Sequence, residues 1–437
     1  MSAWIIALVA AAYLGLLFYI AYRGDKAADA GRSLIASPYV YALSLGVYAT
    51  AWTFYGSVGR AAASGIGFLP VYLGPTVMIA LWWVVLRKII RIAKDNRITS
   101  LADFISSRYG KSAALAGLVT VIAAVGVTPY ISLQLKAIST SFIVLRGYPE
   151  ILPVMPAPES IWHDTAFYAA LVLAAFTVAF GTRKLDAAER HEGMVAAIAF
   201  ESLVKLLAFL AVGVFVTWGM YDGIADIFTR AAADPRIAEA FVIGGGSTDV
   251  YHSWASLFSL AFIGMMAIMF LPRQFQVAVI ENVDEAHLNK AIWLFPLYLL
   301  LFNLFVLPIA FGGLLHFGAD SGVSPDTFVL TLPMSGQQEA LALLVFLGGF
   351  SAATGMVIVE TIALSTMVCN DLVMPVLLRI KALHLVDRTD LSGLLLAIRR
   401  ITIVLGLLLG YAYYRVAGEA YALVSIGLVS FAAVAQF

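Results

Sequence analysis

Apolar residues in this chain gather into blocks of roughly twenty, separated by polar stretches. The blocks fall at about 3–22, 39–62, 67–90, 112–145, 164–181, 191–219, 253–281, 286–316, 338–369, 396–416 and 420–437. Such blocks are long enough to cross a hydrocarbon core. The pattern therefore predicts an all-α membrane protein of about eleven transmembrane helices. Between the third and fourth blocks, Arg97–Ser112 reads as a short amphipathic helix at an inner surface, capped by Ser100 and ended by Gly110. The stretches 220–252 and 317–337 read as long outer loops. The first holds Gly244-Gly245-Gly246-Ser247-Thr248, which lacks the lysine and the spacing of a phosphate-binding loop. The first block has no basic leader and no clear cleavage sequence before Arg23, so it reads as a helix rather than a signal peptide. The last block reaches Phe437 without a polar flank, which predicts that more protein follows.

Charge sets the expected orientation. Loops after odd-numbered blocks hold twenty Lys and Arg, Arg273 counted among them, and loops after even-numbered blocks hold five. Short basic loops stay cytoplasmic, which places the N-terminus outside. The chain is 62% hydrophobic and 12% charged, with mean hydropathy +0.92. That charge fraction is about half that of a soluble domain. Net charge is zero, so no nucleic-acid partner is implied. The single Cys369 excludes an internal disulfide, and no His and Cys grouping has metal-ligand spacing. No nucleophile and base pattern is visible, so residues 1–437 are expected to hold no catalytic site.

Two blocks are poor simple helices. Leu43–Gly59, LSLGVYATAWTFYGSVG, mixes Gly46, Gly56 and Gly59 with Ser44, Thr50, Thr53 and Ser57, and adds the rings of Tyr48, Trp52 and Tyr55. In the seventh block, Gly264 and Leu271-Pro272-Arg273-Gln274 interrupt apolar sequence. Proline removes a backbone donor and frees a carbonyl one turn back. Opened backbone at membrane depth survives only where protein or a water-filled cavity covers it. Paired interruptions in matching positions of two halves are the best sequence pointer to a transporter's binding site. The two lie five helices apart, an odd offset that inverts the second group. The alternative is ordinary close packing on small residues.

At these residues the chain resembles the sodium/solute symporter family, relatives of the bacterial proline and galactose symporters. Ser100-Leu101-Ala102-Asp103-Phe104-Ile105 followed by Arg108-Tyr109-Gly110 is similar to the family's short inner segment. Asn370-Asp371-Leu372 resembles its acidic-Asp-Leu sequence. The resemblance implies a leucine-transporter-like fold, a 5+5 inverted repeat with one extra N-terminal helix. Residues 1–38 would then be the leading helix and inner loop, 39–219 the first five-helix repeat, 220–252 an outer loop and 253–437 the second repeat. Trp52-Thr53-Phe54-Tyr55-Gly56-Ser57-Val58-Gly59 and Leu271-Pro272-Arg273-Gln274-Phe275 resemble one branch above the others. In that branch the symporter domain is fused to a cytoplasmic sensor histidine kinase. The resemblance thus implies a multi-pass protein of the bacterial inner membrane, an ATP-using kinase beyond Phe437, a homodimer through that kinase, and a response regulator as partner.

The family's sodium site lies between the first core helix and the eighth. The resemblance puts its carbonyls at Gly46 and Ala49 and its hydroxyls at Ser351 and Thr354. Counting back ungapped from Asp371 instead places Gly355 and Met356 where hydroxyls are expected, so the coupling ion is Na+ or H+. Ionisable residues at membrane depth are functional candidates by default. Glu360 and Glu201 are the proton-carrier candidates, and Glu201 also stands four residues before Lys205, in the order that favours an ion pair. Tyr48, Trp52, Tyr55, Gln274 and Phe275 lie at the interruptions, where a small organic solute would bind. Gln134 and Lys136 stand near Tyr130 and Ser132 on the third core helix, which in the family lines the solute cavity, so the resemblance implies that they meet a carboxylate. The alternative for Lys136 is to snorkel outward. The expected function is a cation-coupled symporter domain for an amino acid or carboxylate, working by alternating access and with no cofactor in this region. The alternatives are a solute receptor of a sensor kinase that does not transport, and a plain sodium/solute symporter.

Overall fold

The computed structural model describes residues 1–437 apart from 152–157, 159, 182–190, 242–252, 319–320, 382–384, 386–389 and 418–422. The Gly244–Thr248 run lies outside the described residues. Every regular element described is helical. Among the described residues, six helices are each long and apolar enough to cross a membrane. Two further pairs pass together but are bent, by 65° between Trp52–Phe68 and Pro70–Leu81 and by 52° between Trp254–Phe270 and Pro272–Ile280.

Proline chemistry sets the second bend. Helix α12 (Trp254–Phe270) stops at Leu271, whose φ of −64° and ψ of 126° are extended. The residue before a proline is pushed out of the helical region. Pro272 then opens α13 (Pro272–Phe275), where its missing N–H leaves nothing unsatisfied. Five π-helical residues, Gln276–Ile280, follow. Gly264 does not interrupt: it lies inside α12 and lets that helix close on α4 (Pro70–Leu81). A Cβ on Gly264 would sit 3.1 Å from the Val71 carbonyl oxygen.

The 65° bend falls at Leu69, where Pro70 opens α4. The break in the Leu43–Gly59 stretch lies upstream of it, has no proline and is built by tertiary contacts. Helix α2 (Pro38–Ser44) passes into a 3-10 turn, Leu45–Tyr48, and then into extended backbone at Ala49, with φ −78° and ψ 98°. The chain becomes helical again because two side chains cap it. Thr50 Oγ1 accepts from Trp52 N at 3.2 Å, and Gln134 Oε1 accepts from Ala51 N at 3.1 Å. Trp52–Gly56 is again π-helical, and α3 (Ser57–Ser64) continues it. Both broken helices therefore run from an extended residue into a π segment, a feature common at functional sites.

The remaining helices enclose the two breaks. The long α7 (Ala113–Arg146), α9 (Glu192–Val214) and α17 (Glu339–Met367) form the centre, and α1 (Ala3–Asp29) lies against α9 and α17. At the inner surface, Ser100 caps α6 (Leu101–Ser107) by accepting from Asp103 N at 2.9 Å and donates to Asp371 Oδ2 at 2.7 Å. Arg91 binds Glu285 at 2.6 Å and holds that carboxyl below its usual range.

Three sequence expectations change here. The outer stretch 220–252 contains α10 (Ile224–Ala233) and α11 (Pro235–Ala238), and 317–337 contains Pro325–Thr327 and Phe328–Ser335. Both read as loops because these helices are too short to give a membrane-length signal. Arg273, counted with the inner loop charges, is fully buried beside the second break. Without it those loops carry nineteen basic residues, and the charge bias stands.

Candidate functional site: two helix breaks joined across the bundle

A line of side chains joins the breaks. Tyr130, buried on α7, shares a 2.8 Å hydrogen bond with Thr50 Oγ1 at the first break. The Arg273 guanidinium of the second break lies over the Tyr130 ring, 4.5 Å from its centroid. Arg273 Nη1 donates to Glu360 Oε2 of α17 at 2.7 Å, and neither side chain has any exposure. A buried charge demands a partner, and this pair ties the second break to the central helix. Among the described residues, five further side-chain atoms here make no hydrogen bond of good geometry: Arg273 Nε and Nη2, Glu360 Oε1, and both amide atoms of Gln274. Nε and Nη2 form one edge of the guanidinium, the fork that binds a carboxylate through two parallel hydrogen bonds.

Rings close the other side. Trp52 faces Tyr72 at 6.0 Å and Phe431 at 5.7 Å between centroids, and Phe431 stacks on Tyr130 at 5.7 Å. Tyr48 meets Phe295 and Phe431, and its hydroxyl donates to the Val71 carbonyl at 3.4 Å. Tyr48, Trp52, Gln134 and Gln274 are all buried near the breaks. Three other solute candidates are placed elsewhere. Tyr55 packs on Gly349 of α17, where a Cβ would collide with the ring. Phe275 turns to Phe104 of the inner helix at 5.6 Å. Lys136 is half-buried and lies electrostatically beside Asp326 of the outer segment.

The residues expected around sodium do come together, with protein partners already in place. The Gly46 carbonyl accepts from Ala49 N at 3.0 Å and from Lys205 Nζ at 2.7 Å. Ser351 accepts from Tyr13 OH at 2.8 Å and donates to the Glu201 carbonyl at 3.1 Å. Thr354 donates to Glu201 Oε1 at 2.6 Å. The expected pair between Glu201 and Lys205 gives way to these bonds with other helices. The i,i+4 rule holds on an exposed helix face; in a buried one, unsatisfied carbonyls and hydroxyls compete for both groups. At the Gly46 carbonyl, protein donors take both lone pairs, which leaves no room there for a sodium ion.

Residues 29–144 match the sodium:solute symporter family model. No curated protein matches the chain. Among solved structures, one titled "Substrate-bound outward-open state of a Na+-coupled sialic acid symporter reveals a novel Na+-site" is similar, with TM-score 0.69 and 13% identity over 98% of this chain and 85% of that one. A manganese transporter from Eremococcus coleocola gives TM-score 0.47 and 14% identity over 92% of this chain and 74% of that one. The first likeness shows the fold, a leucine-transporter-like helical bundle.

Sequence reasoning did not single out Arg273 or Tyr130. Arg273 follows the proline interruption of the seventh block, where a basic residue reads as a loop charge. The signal available was the presence of Glu360 at membrane depth, which requires a basic partner somewhere.

Proposed function

We propose that this chain is the membrane module of a cation-coupled symporter for a small organic solute, an amino acid or carboxylate, moved by alternating access. The observation that carries this reading is the chain Thr50–Tyr130–Arg273–Glu360 between two helix breaks, with an unused guanidinium edge beside the Gln274 amide. Buried donors without partners are costly, and a solute carboxylate satisfies two of them at once. The match of residues 29–144 to the symporter family supports a cation as the driving ion. The resemblance of Trp52–Gly59 and Leu271–Phe275 to the kinase-linked branch supports a bacterial inner-membrane setting in which the module reports to a sensor histidine kinase, its dimer and a response regulator. The loop charges support an outside N-terminus.

The test is uptake of labelled amino acids and carboxylates into proteoliposomes, first under a sodium gradient alone and then under a pH gradient alone. Uptake under either gradient supports symport. Saturable binding with no uptake under either one establishes the receptor reading instead, which the protein partners on Gly46, Ser351 and Thr354 favour.

Trp52→Ala is expected to weaken solute binding by about 1–3 kcal/mol, with little loss of folded protein. The ring borders the Tyr130 cluster while Trp52 N keeps its cap on Thr50. Unchanged affinity in a binding titration would make the ring a packing element only.

A further inference from the structure

The Gly46 carbonyl at the first break binds a charge the chain supplies itself, the Lys205 ammonium, and the hydroxyls of Ser351 and Thr354 bind its neighbour on α9, Glu201. We propose that Lys205 is a tethered cation: its ammonium takes the place of a sodium ion between Gly46, Ser351 and Thr354, so no sodium binds there. The inference rests on the symport reading for its consequence, which is that any sodium coupling uses another site.

Four observations carry it. The Gly46 carbonyl has two lone pairs, and Ala49 N and Lys205 Nζ use both. A hard cation draws its shell from such lone pairs, so at this carbonyl the ammonium and a metal ion exclude each other. The counter-charge comes from the same helix. Glu201, one turn before Lys205 on α9, is buried and takes the Thr354 hydroxyl hydrogen. With Lys205 as ammonium and Glu201 as carboxylate the site is balanced, and a second cation would leave it unbalanced in a medium of low dielectric.

The third observation explains an anomaly in the sequence. Gly355 stands where counting from Asp371 calls for a hydroxyl. A Cβ there would lie 2.5 Å from Glu201 Oε2. The glycine makes room for the Glu201 carboxylate, which stands one turn before Lys205 on α9. The fourth concerns Gly46. A Cβ on it would lie 2.7 Å from Ser202 Oγ, so α9 packs directly on the opened backbone. That close approach is what lets Lys205, three residues further along α9, reach the Gly46 carbonyl.

The test is binding of radioactive sodium to the purified full chain, with melting curves in sodium and in choline chloride at equal ionic strength. Wild type is expected to melt at the same temperature in both salts. Lys205→Ala leaves Glu201 and the freed carbonyl to a metal ion. It is expected to bind sodium saturably and to melt roughly 2–4 °C higher in sodium. Lys205→Ala combined with Glu201→Gln removes the counter-charge and is expected to lose that response. A folded Lys205→Ala protein with no sodium response overturns the proposal. So does a wild-type sodium response that Thr354→Ala abolishes. Where Lys205→Ala does not fold, the wild type and Thr354→Ala decide the matter between them. A wild-type response that Thr354→Ala leaves intact places sodium elsewhere and supports the proposal. These readouts need no transport, so a failure of uptake would count against symport and leave them standing.

Discussion

Glu360→Gln is expected to destabilise the folded protein by about 3–5 kcal/mol, the usual cost of leaving one member of a buried ion pair uncompensated. Glu360 Oε2 and Arg273 Nη1 are 2.7 Å apart and neither side chain is exposed. Glutamine keeps the shape and one acceptor, but the Arg273 charge then has no counter-charge at the second break. The measurement is chemical unfolding in detergent, read as a shift in midpoint at constant slope. Replacing both partners, Arg273→Met with Glu360→Leu, is expected to return stability to within about 1 kcal/mol of wild type or above it, since the desolvation of both charges disappears together. The same variants decide whether Glu360 carries the coupling proton. A proton carrier made neutral should lose pH-driven uptake and keep its fold. Full stability with lost pH-driven uptake would restore Glu360 to that role and remove it from the framework of the break.

Gly74→Ala is expected to cost about 3 kcal/mol, at the upper end for an overpacked contact. The new methyl would collide with the Ala261 carbonyl oxygen, and the Met265 backbone nitrogen lies 2.8 Å away. Both belong to the backbone of α12, so no side chain can swing aside. The helices α4 and α12 must separate, and α12 carries the second break at its end. Gly59→Ala supplies a milder contrast, since its methyl would collide chiefly with the Asp326 carboxylate, a side-chain end that can shift by giving up its bond from Leu423 N, while the nearest backbone atom, Asp326 N, stays 3.2 Å away. Gly15→Ala, with nothing within 4 Å, is the control and should be neutral or slightly stabilising. Thermal melts of the three in one detergent check the order. A Gly74→Ala protein as stable as wild type would show that α4 and α12 slide freely at this crossing.

Much of the frame was legible before any coordinates. Membrane-length apolar blocks report helices because lipid leaves the backbone no other partner but itself. Pro272 put the second break within the stretch from Gly264 to Gln274, and the structure opens it at Leu271, because the constraint of a proline acts on the residue before it. Ser100 and Gly110 bounded the inner helix for the same local reason. Gly264 misled, because a glycine inside a helix signals either a weak point or a close neighbour, and only the neighbour, α4, says which.

The site was less legible. Sequence alone determined most of the polar and charged groups trapped in the membrane, Glu201, Lys205, Gln274, Glu360 and the hydroxyls near them, while Arg273 was counted with the loop charges. It did not determine their partners. Arg273 and Glu360 lie 87 residues apart, and Lys205 lies 159 residues from the Gly46 carbonyl it binds. A lysine four residues after a glutamate favours a local pair, and that rule is worth only a few tenths of a kcal/mol. A buried carbonyl or hydroxyl left without a partner costs several times more. Packing α9 on the first break therefore overrode the local preference, sending Lys205 to Gly46 and Glu201 to Thr354. Which groups must be satisfied follows from the sequence; who satisfies them is decided by which helices pack together, because only packing brings distant donors within a hydrogen bond's reach.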